Sequence, residues 1–182
     1  GSSHHSLYHR MPGINIVSPM TPNEYRSIYN TFMTNDEVMY VSEHRGSYGN
    51  EKELYNVNIS DSDIVLFPIS ITRFAAEEAR KILISKGIRA SIFHQLWLKP
   101  FILFDNWSKA VSSSKYGAIV IDDDYEDGIS KSIAHEIMME TNKKAYVMGL
   151  ESRTAGFHKS VDNLPPSAEQ IVDKVLKIMG KK

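Results

Sequence analysis

The chain contains no cysteine among its 182 residues. This excludes disulfide bonds, thiolate metal sites and a cysteine nucleophile. No apolar run approaches the roughly 20 residues that a membrane-spanning helix needs. The net charge is only −1, so there is no basic surplus that would attract nucleic acid or an anionic membrane surface. We therefore expect no nucleic-acid partner, no membrane partner and a cytoplasmic location.

Glycine-rich phosphate-binding motifs are also missing. Neither a G-x-G-x-x-G pattern nor a Walker pattern occurs, and the turn at residues 68–72, after a predicted strand, has no glycine. A phosphate cradle needs glycines because the backbone must approach the anion closely. Independent nucleotide binding is therefore not expected.

The chain does contain a long alternation of apolar strands and amphipathic helices. Strands are predicted at 64–69, 90–93, 117–121 and 145–149, with helices at 73–86, 102–112, 129–141 and a last one that opens at Ser167. This order predicts an α/β fold over residues 62–182, a three-layer α/β/α domain with a mostly parallel sheet.

A smaller unit precedes this domain. Strands are predicted at 14–17 and 38–41, and the helix between them, at 22–33, starts with a capping box at Thr21-Pro22-Asn23-Glu24. One strand-helix-strand unit is too small to be a domain alone. The polar segment 43–61 has no clear periodicity and is predicted to be a linker.

Three polar clusters are candidate sites. Glu43-His44-Arg45 follows a strand at the junction, where the triplet is either an exposed turn or an inter-domain ion pair; we favour the ion pair. Asp122-Asp123-Asp124 ends a strand and could hold a hard cation, but a solvated strand end is the favoured interpretation, so no metal site is predicted. His94 is predicted to be a partly buried histidine with its hydrogen bonds satisfied.

The first residues, GSSHHSLYHR, have two interpretations. Many purification tags begin in this way, and tag residues do not belong to the fold. The same residues are equally compatible with native sequence. Residues 1–11 are therefore either a tag remnant or a native segment.

Four stretches, in order, resemble thiamine-diphosphate enzymes. PGINIVSPMTP with the later EHRGSY is similar to the end of the pyrimidine-binding domain in 2-oxoacid dehydrogenase β subunits. The segment from Asp63 to Pro100 resembles the opening of the transketolase C-terminal domain, with AIVIDDDYEDGISKSIAHEI and NLPPSAEQIVDKV similar to its later parts. The matching residues are Pro12, Gly13, Pro19, Thr21, Pro22, Glu43, His44, Arg45, Tyr48, Ala79, Leu83, Gly87, Ile88, Leu98, Lys99 and Pro100.

The resemblance covers about residues 12–180 and implies four parts. Residues 12–42 would be the end of a pyrimidine-binding domain, 43–61 a linker and 62–182 a transketolase C-terminal-like domain. If residues 1–11 are native, they resemble the active-site histidine segment that precedes PGL in the family, and His5 becomes a candidate catalytic residue and His4 a candidate cofactor-binding residue. The family's acid after Lys-Pro is replaced by Phe101, so no role tied to that acid is carried over.

The resemblance implies the C-terminal portion of a thiamine-diphosphate-dependent enzyme acting on 2-oxoacids or ketose phosphates. The complete enzyme would use thiamine diphosphate and Mg²⁺, as a homodimer or an α/β hetero-oligomer, and this part would serve domain packing and subunit assembly. The Mg-diphosphate motif, G-D-G followed by asparagine, is absent, so this chain alone is expected neither to bind the cofactor nor to turn over. The triplet Glu43-His44-Arg45 favours a dehydrogenase-type β subunit. The alternative is a non-catalytic α/β interaction domain derived from the same fold.

Overall fold

A computed structural model describes residues 3–181. Within that range no helix is long and apolar enough to cross a membrane. The helices are α1 (His5–His9), α2 (Pro22–Thr34), α3 (Thr72–Ser85), α4 (Asp105–Ser113), α5 (Ile129–Thr141) and α6 (Ala168–Ile178). The strands are β1 (Ile14–Val17), β2 (Val38–Val41), β3 (Ile64–Pro68), β4 (Ala90–Ile92), β5 (Trp97–Lys99), β6 (Ala118–Tyr125) and β7 (Ala145–Leu150).

The larger sheet has four parallel strands in the order β4-β3-β6-β7. Strand β3 is buried along its whole length, as expected for a central strand covered on both faces. Val65 and Phe67 enter one core with helices α4 and α5, while Ile64 and Leu66 enter a second core with α3 and α6. The predicted three-layer α/β/α domain with a mostly parallel sheet is confirmed.

The smaller sheet has the order β2-β1-β5. Strands β1 and β2 are parallel, whereas β5 is antiparallel to β1 and pairs Trp97 with Val17. Strand β5 was not predicted, and it comes from the part of the chain beyond the linker. It joins the two units directly, and Ile16 of β1 is fully buried in the same core as Phe67. The predicted boundary at 43–61 stays a prediction.

The acidic run departs most from the sequence prediction. Strand β6 continues through Asp122, Asp123 and Asp124 to Tyr125, four residues beyond the predicted end. These three aspartates are between 0% and 4% exposed, so the prediction of a solvated strand end is wrong. The reason is that the N-terminal segment, including the unpredicted helix α1, covers the end of this strand.

Candidate functional site

A buried polar cluster lies where β6 meets the N-terminal segment. The imidazole Nε2 of His5 lies 3.1 Å from Oδ1 and 3.2 Å from Oδ2 of Asp122, and 3.8 Å from Oδ2 of Asp124. On its other side, Nδ1 of His5 lies 3.2 Å from the Ser42 hydroxyl, just after β2. The ring is fully buried. His5 therefore links the N-terminus, the end of β2 and the end of β6.

His5 carries a proton at neutral pH. Burial by itself would lower the pKa of His5, but the charge and hydrogen bond of Asp122, with the charges of Asp123 and Asp124, raise it from 6.5 to about 9. In the imidazolium form both ring nitrogens donate, Nε2 to Asp122 and Nδ1 to Ser42. The cluster is thus a buried ion pair in which one cation faces several carboxylates.

Asp123 is held by hydroxyl groups rather than by the histidine. Ser3 and Ser70 each donate a 2.8 Å hydrogen bond to its Oδ2. Ser70 lies in the turn after β3 with φ of 52°, a left-handed conformation that is uncommon for a residue with a side chain. Burial and the neighbouring Asp122 raise the pKa of Asp123. Protonation of this carboxyl would relieve the excess of negative charge.

The same cluster has a donor set of the kind that binds metals. One ligand atom each from His5, Asp122 and Asp123 lie within 4.8 Å of one another. A metal would bind here only by displacing the His5 proton, because a ligating imidazole must be neutral. With the proton in place, the hydrogen bonds to Asp122 and Ser42 make the cluster an internal ion pair.

Several residues predicted from sequence line one open cleft of about 800 Å³ beside the cluster. The cleft is bounded by Ser3 and His4 from the N-terminus and by Glu43, His44 and Arg45 from the segment after β2. His4 and Arg45 are exposed, whereas His5 lies behind the wall and is not among the lining residues. The structure brings the predicted residues together, but only His4 of the histidine pair faces a surface that a ligand could reach.

The predicted triplet forms hydrogen bonds instead of ion pairs. The Glu43 carboxylate accepts from the hydroxyls of Tyr48 at 3.1 Å and Tyr29 at 3.3 Å. His44 accepts from the backbone N–H of Gly46 through Nδ1 at 2.9 Å. Across residues 3–181 no ion pair includes Glu43, His44 or Arg45. The ion pair predicted for this junction is therefore not formed by these residues.

A second buried ion pair that joins residues before and after segment 43–61, besides His5–Asp122, is Glu24–Arg73, which no local sequence pattern indicates. Arg73 at the start of α3 is fully buried, and its two terminal nitrogens donate to the two carboxylate oxygens of Glu24 at 2.8 and 2.6 Å. Glu24 also accepts from the backbone N–H groups of Met20 and Thr21 at the start of α2. The capping box identified Glu24 as a residue at the start of a helix. Nothing in the sequence indicates that Arg73, 49 positions later, also binds its carboxylate.

His94 behaves only partly as predicted. It is 6% exposed, and its Nε2 lies 2.9 Å from Oε1 of Glu77 on α3. The hydrogen bond from His94 lowers the pKa of Glu77 despite partial burial. The predicted burial of His94 is confirmed, but only one of its ring nitrogens is satisfied, because Nδ1 is buried without a hydrogen-bond partner among residues 3–181.

Comparison with known proteins supports the resemblance at the level of the fold. A split-gene transketolase, described as an inactive β4 tetramer, aligns over 97% of this chain with a TM-score of 0.69 and 17% identity. A point mutant of Pichia stipitis transketolase aligns over 97% of this chain with a TM-score of 0.65 and 15% identity. The predicted transketolase C-terminal-like architecture is confirmed.

A similarity at the sequence level covers part of the chain. The 1-deoxy-D-xylulose-5-phosphate synthase 1 of Geobacter sulfurreducens is 27% identical over 55% of this chain. No protein-family model matches. The chain spans 18% of that synthase, 61% of the split-gene transketolase chain and 26% of the Pichia stipitis enzyme.

Proposed function

We propose that this chain is the C-terminal portion of a thiamine-diphosphate-dependent enzyme of transketolase type, acting on 2-oxoacids or ketose phosphates, and that it serves domain packing and subunit assembly. The similarity to transketolases along nearly the whole chain supports this, as does the much greater length of those proteins. The missing part would be a polypeptide, upstream in the same gene or encoded separately, that carries the cofactor-binding residues.

The observation that carries the proposal is an open edge on the smaller sheet. Strand β2 ends the order β2-β1-β5, so in the part of the chain that the structure describes its outer backbone groups pair with no strand. An unprotected edge is a ready site for a further strand. If residues 12–42 are the end of a pyrimidine-binding domain, their two parallel strands and one helix leave this edge open. The missing part of that domain would pair with it.

An apolar groove accompanies this edge. Tyr29 and Phe32 of α2, with Met39 and Val41 of β2, line a groove of about 140 Å³, here called the α2–β2 groove. Tyr29 and Phe32 are about half exposed, and the neighbouring Met33 is 78% exposed. Exposed large apolar side chains that lie close together are typical of an interaction surface. We assign this surface to the missing part of the pyrimidine-binding domain.

The residues of this chain do not fit the diphosphate of the cofactor. The turn between β3 and α3 has no glycine, and its Thr72 hydroxyl is engaged by the carbonyl of Ile69 at 2.6 Å. The neighbouring strand end, that of β6, presents Asp122, Asp123 and Asp124, whose carboxylates oppose a diphosphate. We therefore assign the binding of the cofactor diphosphate to the partner polypeptide.

The cleft beside His4 is the surface that we assign to the composite active site. His4, His44 and Arg45 provide groups that can donate hydrogen bonds to an anionic substrate or cofactor group brought by the partner. The catalytic role predicted for His5 does not suit its position, because the ring is buried and engaged by Asp122 and Ser42. We assign His5 the role of anchoring the segment that carries His4.

Oligomer formation follows from the same proposal. The similar split-gene transketolase is described as a tetramer of β chains. We infer that this chain forms a homodimer or an α/β hetero-oligomer in the complete enzyme, with the α2–β2 groove against the missing domain. The alternative, a non-catalytic interaction domain of the same fold, would use the groove without any cofactor-bearing partner.

Replacing Phe32 with glutamate should weaken assembly without unfolding the chain. Its side chain is 48% exposed, so the charge costs little in the free chain but would be desolvated inside the interface. We expect at least about a tenfold loss in affinity for the polypeptide that carries the Gly-Asp-Gly diphosphate motif. Calorimetric titration of that polypeptide into the variant measures this loss.

Ile84→Glu is the matched control. Ile84 is also 48% exposed but lies on α3, outside the α2–β2 groove. Ile84→Glu should leave the affinity for the Gly-Asp-Gly polypeptide unchanged. Both variants should keep the thermal stability of the parent chain to within a few degrees. Equal affinities for the Phe32 variant and the parent chain would exclude the groove as the interface.

A further inference from the structure

The topological switch point of the larger sheet lies at the buried polar cluster. In the order β4-β3-β6-β7, the chain passes from β3 to β4 on one side and returns to β6 on the other. Open α/β sheets bind ligands at such a point, in the crevice at the carboxyl ends of the strands. His5, Asp122 and Asp123, here called the His5 cluster, lie at this end of β6. The proposed function uses His5 as an anchor and assigns no ligand to the carboxylates.

The three side chains of the His5 cluster are spaced like ligands of one small cation. One nitrogen or oxygen atom from each lies within 4.8 Å of the others. Zn²⁺ holds imidazole nitrogens and carboxylate oxygens at roughly 2.0–2.2 Å, so neighbouring ligand atoms in a tetrahedral site are about 3.4 Å apart. Nε2 of His5 and Oδ1 of Asp122, 3.1 Å apart, are already close to this spacing. A side-chain movement of at most about 1.4 Å brings the remaining ligand atom to the same spacing.

Hydrogen bonds from surrounding residues orient these ligands. Nδ1 of His5 lies 3.2 Å from the Ser42 hydroxyl, so a neutral ring that donates from Nδ1 keeps the lone pair of Nε2 for the cluster. Oδ2 of Asp123 accepts from Ser3 and from Ser70, each at 2.8 Å. Histidines and carboxylates that bind metals are usually held by outer hydrogen bonds of this kind. The His5 cluster therefore has both the ligands and the supporting contacts of a metal site.

One carboxylate oxygen of the His5 cluster has no partner. Asp123 is 1% exposed, and its Oδ1 forms no hydrogen bond with any of residues 3–181. Leaving a buried acceptor unpaired is costly. Three buried aspartates also surround a single imidazolium, so negative charge is in excess. A divalent cation supplies one more positive charge than the proton that it replaces, and it can bind a carboxylate oxygen that lacks a donor.

The open cleft beside His4 provides an entry path to the cluster. Ser3 and Ser42 line this cleft, and both also bond to the cluster behind it, Ser3 to Asp123 and Ser42 to His5. The Ser3 side chain is partly exposed, so it can turn away and open a path from the cleft to the carboxylates. A metal site needs a path of this kind.

We propose that the His5 cluster binds a divalent transition-metal ion such as Zn²⁺ through Nε2 of His5 and one carboxylate oxygen each of Asp122 and Asp123. An imidazole among carboxylates suits Zn²⁺, whereas Mg²⁺ prefers oxygen ligands alone. The ion takes the place of the His5 proton, which leaves to solvent. Bound there, it ties the N-terminal segment to the end of β6. This site does not depend on the proposed function.

Calorimetric titration of ZnCl₂ into the chelator-treated chain at pH 7.5 tests the proposal, with MgCl₂ as the comparison. The chain contains no cysteine, so no thiolate competes for the zinc. We expect saturable binding of one Zn²⁺ per chain and at least about tenfold weaker binding of Mg²⁺, because the imidazole nitrogen is a poor ligand for Mg²⁺. Equal affinities for the two ions, or no saturable Zn²⁺ binding, would overturn the proposal.

Asp123→Asn removes one ligand while keeping the shape of the side chain. The amide oxygen of asparagine can still accept from Ser3 and Ser70, but it carries no charge for a cation. Zn²⁺ affinity should fall at least about tenfold. His135→Gln is the matched control, because His135 is an exposed histidine beside a glutamate on α5, and it should leave the affinity unchanged. An equal loss in both variants, or no loss in Asp123→Asn, would contradict the assignment.

NMR of the parent chain decides the question if Asp123→Asn fails to fold. Zn²⁺ should shift the ring resonances of His5 and saturate with the same affinity as in calorimetry, while those of His135 stay in place. Ring resonances of His5 that do not move at saturating Zn²⁺ would place the ion elsewhere and overturn the proposal.

Discussion

Glu24→Gln is expected to lower the free energy of unfolding by about 3–5 kcal/mol, because it leaves the guanidinium of Arg73 buried without its counter-charge. Arg73 is fully buried, and both its terminal nitrogens depend on the Glu24 carboxylate. Urea denaturation followed by tryptophan emission measures the loss.

The double variant Glu24→Gln/Arg73→Met should recover much of this loss, since it removes the buried charge together with its partner. Glu78→Gln provides the matched control, because Glu78 pairs with Lys81 on the exposed side of α3. Glu78→Gln should lower the free energy of unfolding by less than about 1 kcal/mol. A Glu24→Gln loss as small as that of the control would show that the pair does not hold the two units together.

The stability of the chain should fall as the pH rises from 6.5 to 9, by about 3 kcal/mol from His5 alone. The folded chain holds the His5 proton more tightly than the unfolded chain, in which the pKa is near 6.5. The stabilisation is therefore complete below pH 6.5 and disappears as the pH passes the folded pKa of about 9. The raised pKa of Asp123 also makes stability fall as the pH rises, but this effect begins at the ordinary aspartate pKa of 3.8 rather than at 6.5.

Unfolding free energies measured across this pH range provide the test, with His5→Gln as the comparison. Glutamine does not titrate, so the free energy of unfolding of His5→Gln should not decline between pH 6.5 and 9. The variant should be less stable than the parent chain overall. Direct NMR titration of the imidazole gives a second measure. A His5 pKa at or below 6.5 in the folded chain would contradict the buried ion pair.

The sequence predicted the regular core well because the strands and helices there carry strong local signals. Helix α5 was predicted at its observed bounds, and β3 is an uninterrupted apolar run. Strand β5 was missed because its three residues, Trp97–Lys99, are defined by pairing with β1 about 80 positions earlier. No local pattern contains that information.

The site was harder to predict for the same reason. The aspartates Asp122 to Asp124 would be solvated in isolation, and they are buried by distant parts of the chain, His5 and Ser3 of the N-terminal segment and Ser70 of the turn after β3. The histidine pair was identified from a family resemblance, yet the structure separates its members into a buried His5 and an exposed His4. Burial set by distant parts of the chain, rather than residue type, decides which polar groups can reach a ligand.

Calorimetry of thiamine diphosphate with Mg²⁺ tests the central claim most directly. The chain alone should show no micromolar binding, whereas an equimolar mixture with the polypeptide that carries the Gly-Asp-Gly motif should bind the cofactor saturably. The Phe32→Glu variant should reduce binding by the mixture through loss of assembly. Micromolar binding of thiamine diphosphate by the chain alone would contradict the account.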